Sequence, residues 1–292
     1  MQEVLGCFQE RLAYSEEPME DIAGEKDMTM LIKYPKQTKE RNKVFFEKKD
    51  KELTNEDWSQ QGGWFDTDGT LTYNYDKVLQ PWKKRADLKL KDRQPVELFS
   101  KTFETSLTNY LNKTTTPNGN KYAITMHQAI LRGEKADWFT KHVYPYLIKE
   151  EKKNYAAKLL GYRPESKNFS DWTIDEVIHY LASALEGDGD FTLNNGKKTI
   201  SIRAKLNSND VQYLSNIKYL IEKKLGITST LAEGADYKTQ KGIKTHYTLS
   251  IFGSSQKPNN IGFFQSLVKD GVMTLDRKKQ RVQKFVNYKR FG

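Results

Sequence analysis

Two short acidic runs, Asp66-Thr67-Asp68-Gly69 and Glu186-Gly187-Asp188-Gly189, carry the residue types and spacing most able to do chemistry. Three kinds of chemistry use such runs. The stretch Asp66 to Thr70 matches an Asp-x-Asp-Gly-Thr loop of the type that forms an aspartyl-phosphate, with Asp66 as nucleophile. That loop should follow a buried apolar strand, whereas WSQQGGW precedes it, and the second run breaks the pattern. A calcium loop needs Gly at its sixth place and Glu at its twelfth. Counting from Asp66 gives Leu71 and Lys77, and from Glu186 gives Phe191 and Lys197, so both copies fail. The third reading uses both runs as a pair. A carboxylate at a helix C-terminus is disfavoured by the helix dipole, and a divalent cation relieves two of them at once. Paired carboxylates with a cation are the equipment of phosphodiester hydrolysis. The plain alternative, that each Asp-Gly merely ends a helix, weakens when two matched motifs head two matched units.

The elements that would position these carboxylates repeat. Thr54 with Asp57, and Thr173 with Glu176, give capping-box starts to two helices of about 14 residues that run into the acidic turns. Strand-like alternation follows at Leu71–Tyr75 and Phe191–Leu193, then at Arg85–Leu90 and Thr199–Asn207. Ile200, Ile202, Ala204 and Leu206 share one face of the last of these; Ser201, Arg203, Lys205 and Asn207 share the other. Helices are expected at Pro95–Leu111 and Asn209–Leu225, and hairpins around Asn118-Gly119 and Gly242. Each half then has an aromatic helix (Trp138, Phe139; Phe263, Phe264) and a final basic one, KEEKKNYAAKLL or LDRKKQRVQKFV. The offset between copies is 120 residues at the turns (68 and 188) and 126 at the basic helices (152 and 278). This organisation divides the chain into an N-terminal extension at 1–53, a first repeat at 54–160, a linker at 161–172 and a second repeat at 173–292. Small residues in the two motif helices (Gly62, Gly63; Ala182, Ser183, Ala184) would let them pack closely and bring Asp68 and Asp188 together.

Charge says what the pair would act on. The chain carries 48 Lys and Arg against 38 Asp and Glu, a net charge of +10. Residues 1–50 hold 9 basic and 11 acidic side chains, so the remainder holds 39 against 27. A basic body of this kind attracts nucleic acid by neutralising phosphates. The single cysteine, Cys7, excludes an internal disulfide framework, and His127, His142, His179 and His246 have no metal-ligand spacing. No apolar run is long enough to span a bilayer and no targeting signal is legible, which points to an intracellular protein.

The motifs now carry a resemblance. LASALEGDG at 181–189 is similar to the LAGLIDADG nonapeptide, and QGGWFDTDG at 61–69 is a more divergent version with Gln61 and Trp64 in place of aliphatic residues. The stretch from about 54 to 292 resembles a monomeric, two-repeat LAGLIDADG homing endonuclease. The resemblance implies an α+β fold: two αββαββα repeats forming a pseudo-twofold saddle whose four-stranded antiparallel sheets straddle double-stranded DNA. It also implies a site-specific cut of both strands at a long asymmetric target, leaving short 3′ overhangs. The cofactor would be Mg²⁺, two or three ions shared between Asp68 and Asp188, with Asp66 and Glu186 structural. The family also places a lysine of each repeat near the scissile phosphates. Lys152 and Lys278 match each other at that place, followed by Lys153 and Lys279, and Lys149 is a rival in the first copy.

Hydrolysis would then use water as nucleophile, with cation and lysine stabilising the pentacoordinate phosphate. Bases would be read from the outward strand faces. Candidates there are Thr72, Asn74, Arg85 and Lys89 in the first repeat, and Thr192, Asn194, Ser201, Arg203, Lys205 and Asn207 in the second. Lys238, Gln240, Lys244 and His246 would extend that surface. A competing expectation is a protein of the same fold that binds without cutting, either an RNA maturase or a DNA-binding regulator. Retention of both Asp68 and Asp188 favours the nuclease.

Overall fold

The computed structural model describes residues 28–74, 83–115, 121–195, 200–234, 236–239, 242–254 and 256–288. The chain forms two compact units, Met1–Phe45 and Phe46–Gly292. Helix α1 spans Met28–Glu52. The elements that follow are α2 (Asn55–Thr67), β1 (Gly69–Asn74), β2 (Lys83–Leu90), α3 (Arg93–Thr102), β3 (Leu107–Thr115), β4 (Lys121–Arg132), α4 (Glu134–Val143) and α5 (Glu150–Leu160). The second series is α6 (Ile174–Gly187), β5 (Gly189–Asn195), β6 (Ile200–Ser208), α7 (Val211–Lys224), β7 (Ser229–Glu233), β8 (Tyr237–Thr239), β9 (Gly242–Lys244), β10 (Tyr247–Gly253), α8 (Pro258–Leu267) and α9 (Asp276–Val286).

Both motif helices begin as their sequences require. Thr54 Oγ1 accepts from the Asp57 N–H and Asp57 returns a bond to the Thr54 N–H; Thr173 and Glu176 repeat the exchange. The two antiparallel sheets share one strand order, β1-β2-β4-β3 and β5-β6-β10-β7, so the halves have the same topology. Alternation decides which face is buried. Ala86, Leu88 and Leu90 on β2, and Ile200, Ile202, Ala204 and Leu206 on β6, turn inward to the helices. Phe65 of α2 meets Phe139 of α4 at 4.7 Å, and Phe99 meets Phe103 at 4.8 Å. Phe264 and Phe285, 5.5 Å apart, do the same work in the second half.

Three expectations change. The helix expected at Pro95–Leu111 stops at Thr102, and Leu107–Thr115 is a strand. Glu104, at φ 49, turns the chain, and Thr105 Oγ1 ties the turn to Ile130 O at 2.6 Å. Leu107 and Leu111 imitate a helical spacing, but Thr108 and Tyr110 between them and Thr114 and Thr115 beyond them are strand formers. In the second half the third sheet strand is β7, which lacks strong alternation and was not anticipated. The Gly242 turn belongs to a separate two-stranded β8-β9 sheet, between β7 and β10. The Asn118-Gly119 turn lies outside the described residues.

Helices α2 and α6 pack against each other along their small residues. A Cβ on Gly63 would lie 2.1 Å from Ser183 Oγ and 2.4 Å from the Tyr180 carbonyl oxygen, so only glycine fits. Gly62 serves a different neighbour, since its Cβ would lie 2.7 Å from the Tyr146 carbonyl oxygen. Substituting Gly63→Ala should therefore destabilise the protein by about 3 kcal/mol through overpacking against backbone. Gly262→Ala, where a Cβ meets nothing within 4 Å, should leave stability unchanged or slightly raised. Urea unfolding of the two variants checks this, and equal midpoints would disprove the close-contact argument.

Candidate functional site

Asp68 and Asp188 are the C-caps of α2 and α6, with their N–H groups bonded back to Trp64 O at 2.8 Å and Ala184 O at 3.1 Å. Because α2 and α6 lie in contact, the two caps are neighbours. A Cβ on Gly187 would sit 2.4 Å from Asp68 Oδ2, so the glycine preceding Asp188 makes room for the Asp68 carboxylate. Burial, then the charge of Asp188, push Asp68 up to about 6, against the pull of Lys278, Lys152 and Lys149. Asp68 Oδ2 is buried with no hydrogen-bond partner among the described residues. Asp188 is more open, its side chain 39% exposed, with Lys149 Nζ 3.8 Å from Oδ2.

An orphaned carboxylate oxygen beside a second carboxylate, both at the negative ends of helices, fits a hard divalent cation. No group of three or more His, Cys, Asp or Glu able to hold a metal occurs among the described residues. The protein would thus supply Asp68 and Asp188, leaving the other coordination positions to water and phosphate oxygens, as suits Mg²⁺.

Asp66 and Glu186 play another part. Asp66 accepts from the N–H groups of Ile148 (2.6 Å) and Lys149 (3.1 Å), at the start of α5. Glu186 accepts from those of Thr274 (2.5 Å) and Leu275 (2.7 Å), at the start of α9. Each also takes a bond from the opposite repeat: Tyr180 Oη donates to Asp66 at 2.5 Å, and Trp64 Nε1 to Glu186 at 3.2 Å. Burial raises both carboxyls, and these donors oppose it. Trp64, the odd residue of the first motif, is one of those donors. Gln61 is buried and its Oε1 has no partner among the described residues.

The matched lysines occupy matched places. Lys152 Nζ donates to Gly69 O at 2.5 Å, and Lys278 Nζ to Gly189 O at 2.7 Å. Lys278 also reaches Leu185 O and Glu186 O, each at 2.7 Å, and is buried. Desolvation, then Arg277, bring Lys278 down to about 8, against the pull of Glu186, Asp92 and Asp68. Lys152 is lowered too, by burial and then by Lys149. Both ammonium groups therefore meet the glycine carbonyl that follows a motif Asp, Lys278 also meets the last-turn carbonyls of α6, and Lys149 is the lysine ion-paired with Asp188.

The outer sheet faces carry most of the expected readers. Thr72 stands opposite Arg85, and Arg85 opposite Arg132. Arg85 is not free, since its guanidinium lies 3.8 Å from Asp87, which also accepts from Gln128 at 2.9 Å. Lys89 Nζ lies over the Tyr110 ring at 4.8 Å. Thr192 pairs with Arg203 and Asn194 with Ser201 across β5 and β6; Asn207 accepts from Thr248 at 2.9 Å. Arg203 is exposed and Lys205 half-buried. Asn74 and Lys238 lie in β1 and β8, Lys244 is exposed at the end of β9, and His246 is half-buried before β10. Gln240 lies outside the described residues. Tyr110, Gln128 and Arg132 in the first sheet, and Thr230 and Ser250 in the second, stand on the same faces without having been anticipated. The β-forming Thr108, Tyr110 and Thr114 in 107–115 were the signal that could have found Tyr110, whereas 229–233 offered none.

Residues 175–257 match the family model described as a LAGLIDADG-like domain. The matched residues run from α6 through β10. Solved LAGLIDADG structures include the homing endonuclease I-GzeII in complex with DNA target: 13% identity, TM-score 0.47, over 78% of this chain and 87% of that one. I-WcaI bound to its DNA recognition sequence aligns at 15% identity and TM-score 0.42, over 81% and 91%. The N-terminal LAGLIDADG domain of DUF199/WhiA aligns at 12% and 0.35, over 76% and 86%. No curated protein matches the chain at a significant level. No helix among the described residues is long and apolar enough to cross a membrane.

The raised Asp68 gives a sign for stability. Its ordinary value is 3.8 and its folded value about 6, so between these the native state holds more protons than the unfolded one. Cation-free stability should fall as pH rises through that window. Asp68→Asn should remove the loss, gaining about 1–3 kcal/mol above about pH 6.5 and nothing below about pH 3.8. Melting curves across that range test it; a gain independent of pH would refute the assignment.

Proposed function

We propose that the chain is a site-specific double-strand DNA endonuclease that hydrolyses phosphodiesters with a divalent cation. The observation that carries this reading is the paired Asp68 and Asp188 at adjoining helix ends, between two sheets whose outer faces carry arginine, lysine and amide side chains. Mg²⁺ held by the two carboxylates would supply charge stabilisation at the attacked phosphate. Asp66 and Glu186 fix the starts of α5 and α9, and with them Lys149, Lys152 and Lys278 around the pair. Those three lysines are the groups available to balance charge developing on the phosphate. Outer-face residues such as Arg203, Lys205 and Arg132 would hold and read the duplex through its major groove. The two sheets differ in these residues, which suits one long asymmetric target and a single chain acting alone. Cleavage of both strands with short 3′ overhangs follows from the same resemblance.

The target can be sought by incubating the chain with a library of randomised sites and Mg²⁺ and sequencing the cut ends. On the site so found, Asp68→Asn or Asp188→Asn should lower cleavage by about a thousandfold or more, since each removes a cation ligand worth several kcal/mol. DNA affinity should stay within about threefold of wild type. Full activity in either variant would overturn the mechanism. Binding without cutting in the wild-type chain would favour a DNA-binding regulator, and preference for RNA a maturase.

Affinity for the duplex should also fall steeply with salt, by about 10³-fold or more between 50 and 200 mM if six or more phosphates are neutralised. Fluorescence anisotropy measures it. A flat dependence would count against a phosphate-tracking sheet surface.

A further inference from the structure

The two motif carboxylates match in sequence but not in surroundings. Lys149 and Leu275 hold one place in the two repeats. Each is the residue before the last helix, and each donates its backbone N–H to the buried motif acid, Asp66 at 3.1 Å or Glu186 at 2.7 Å. Their side chains diverge. Leu275 is packed inside at 3% exposure, whereas Lys149 reaches from the first repeat to within 3.8 Å of Asp188 in the second.

A circuit of buried groups holds Lys149 there. Tyr180 Oη donates to Asp66, the acid that fixes the Lys149 backbone, and lies 3.4 Å from Tyr213 Oη. The Tyr213 ring in turn faces Lys149 Nζ at 4.5 Å, a cation–π contact. Both tyrosines are fully buried, so the ammonium has a defined seat. Asp68 differs: Lys278, Lys152 and Lys149 act on its charge, but its buried Oδ2 has no hydrogen-bond partner among the described residues.

We propose that Lys149 divides the carboxylate pair into an unpaired seat at Asp68 and an ion-paired one at Asp188. A divalent cation engages Asp68 first, and gains full use of Asp188 only when a phosphate draws the ammonium away. The inference rests on the cation-dependent reading of the pair given above. Its physical basis is competition: an ammonium under 4 Å from a carboxylate must be displaced, or its repulsion borne, before a second cation binds there. One consequence is order between the strands, with nicked DNA accumulating at limiting Mg²⁺.

Mn²⁺ alone, titrated into the full chain and followed by electron paramagnetic resonance, tests this without DNA. Lys149→Leu places at 149 the residue already used at 275. It should tighten Mn²⁺ binding about tenfold, and adding Asp188→Asn should abolish the gain. Lys149→Gln should shift affinity the same way, guarding against a packing effect of leucine. Unchanged or weaker binding in both Lys149 variants, with Asp68→Asn still lowering wild-type affinity, would overturn the proposal alone. Wild-type Mn²⁺ binding indifferent to Asp68→Asn and Asp188→Asn would remove the cation reading and this proposal with it.

Discussion

The close approach of α2 to α6 is the constraint on which the site depends. With a hypothetical Cβ only 2.4 Å from the Tyr180 carbonyl, Gly63 marks a contact between backbones rather than between side chains. Helices that near must bring their C-terminal ends together as well. Two negative dipole ends and two carboxylates then share one region, an arrangement that is unfavourable unless cations surround it. Lys278 supplies part of that compensation from inside, by bonding the last-turn carbonyls of α6, and Lys152 reaches the Gly69 carbonyl just past the end of α2. The remaining charge imbalance sits on Asp68.

Why the earlier acid of each motif is buried follows from the same contact. Asp66 and Glu186 gather the free N–H groups at the starts of α5 and α9, where an anion is favoured. Each then accepts a bond from the other repeat. A buried carboxylate with three or four donors is acceptable where one without them would not be. Trp64 and Tyr180 do not occupy equivalent motif places, so the two crossed bonds reach a similar result by different routes. The lysines are thereby tied to the interface between the repeats, because the acids that start their helices are also the acids that join the halves.

Much of this was legible in the residues. Capping boxes, acidic turns and basic final helices have local signatures, and duplication doubled each of them. The adjacency of Asp68 and Asp188 followed from small residues in two helices that needed a partner. What escaped detection was non-local. Strand β3 carried leucines at a helical interval, and β7 had too weak an alternation to be distinguished from a loop. At the site, sequence matched Lys152 with Lys278 but could not show that Lys278 would be enclosed by carbonyl oxygens. Nor could it show Arg85 engaged by Asp87, since that pairing depends on two residues of one strand face and on Gln128 from the next.

Where the two repeats agree and where they differ separates packing from use. The capping boxes, the glycines after each motif Asp and the buried acids recur because the same helix contact demands them twice. The exposed features do not recur. The central strand of the first sheet presents Arg85, Asp87 and Lys89, an alternation of charge, while that of the second presents Ser201, Arg203, Lys205 and Asn207, with no acid. Lys149 has only Leu275 as its counterpart. A pair of sheets serving packing alone would have no reason to diverge on their outer faces in this ordered way. On the endonuclease reading, the divergence is what an asymmetric duplex requires: each half keeps the geometry that presents a carboxylate, and differs in the side chains that meet DNA.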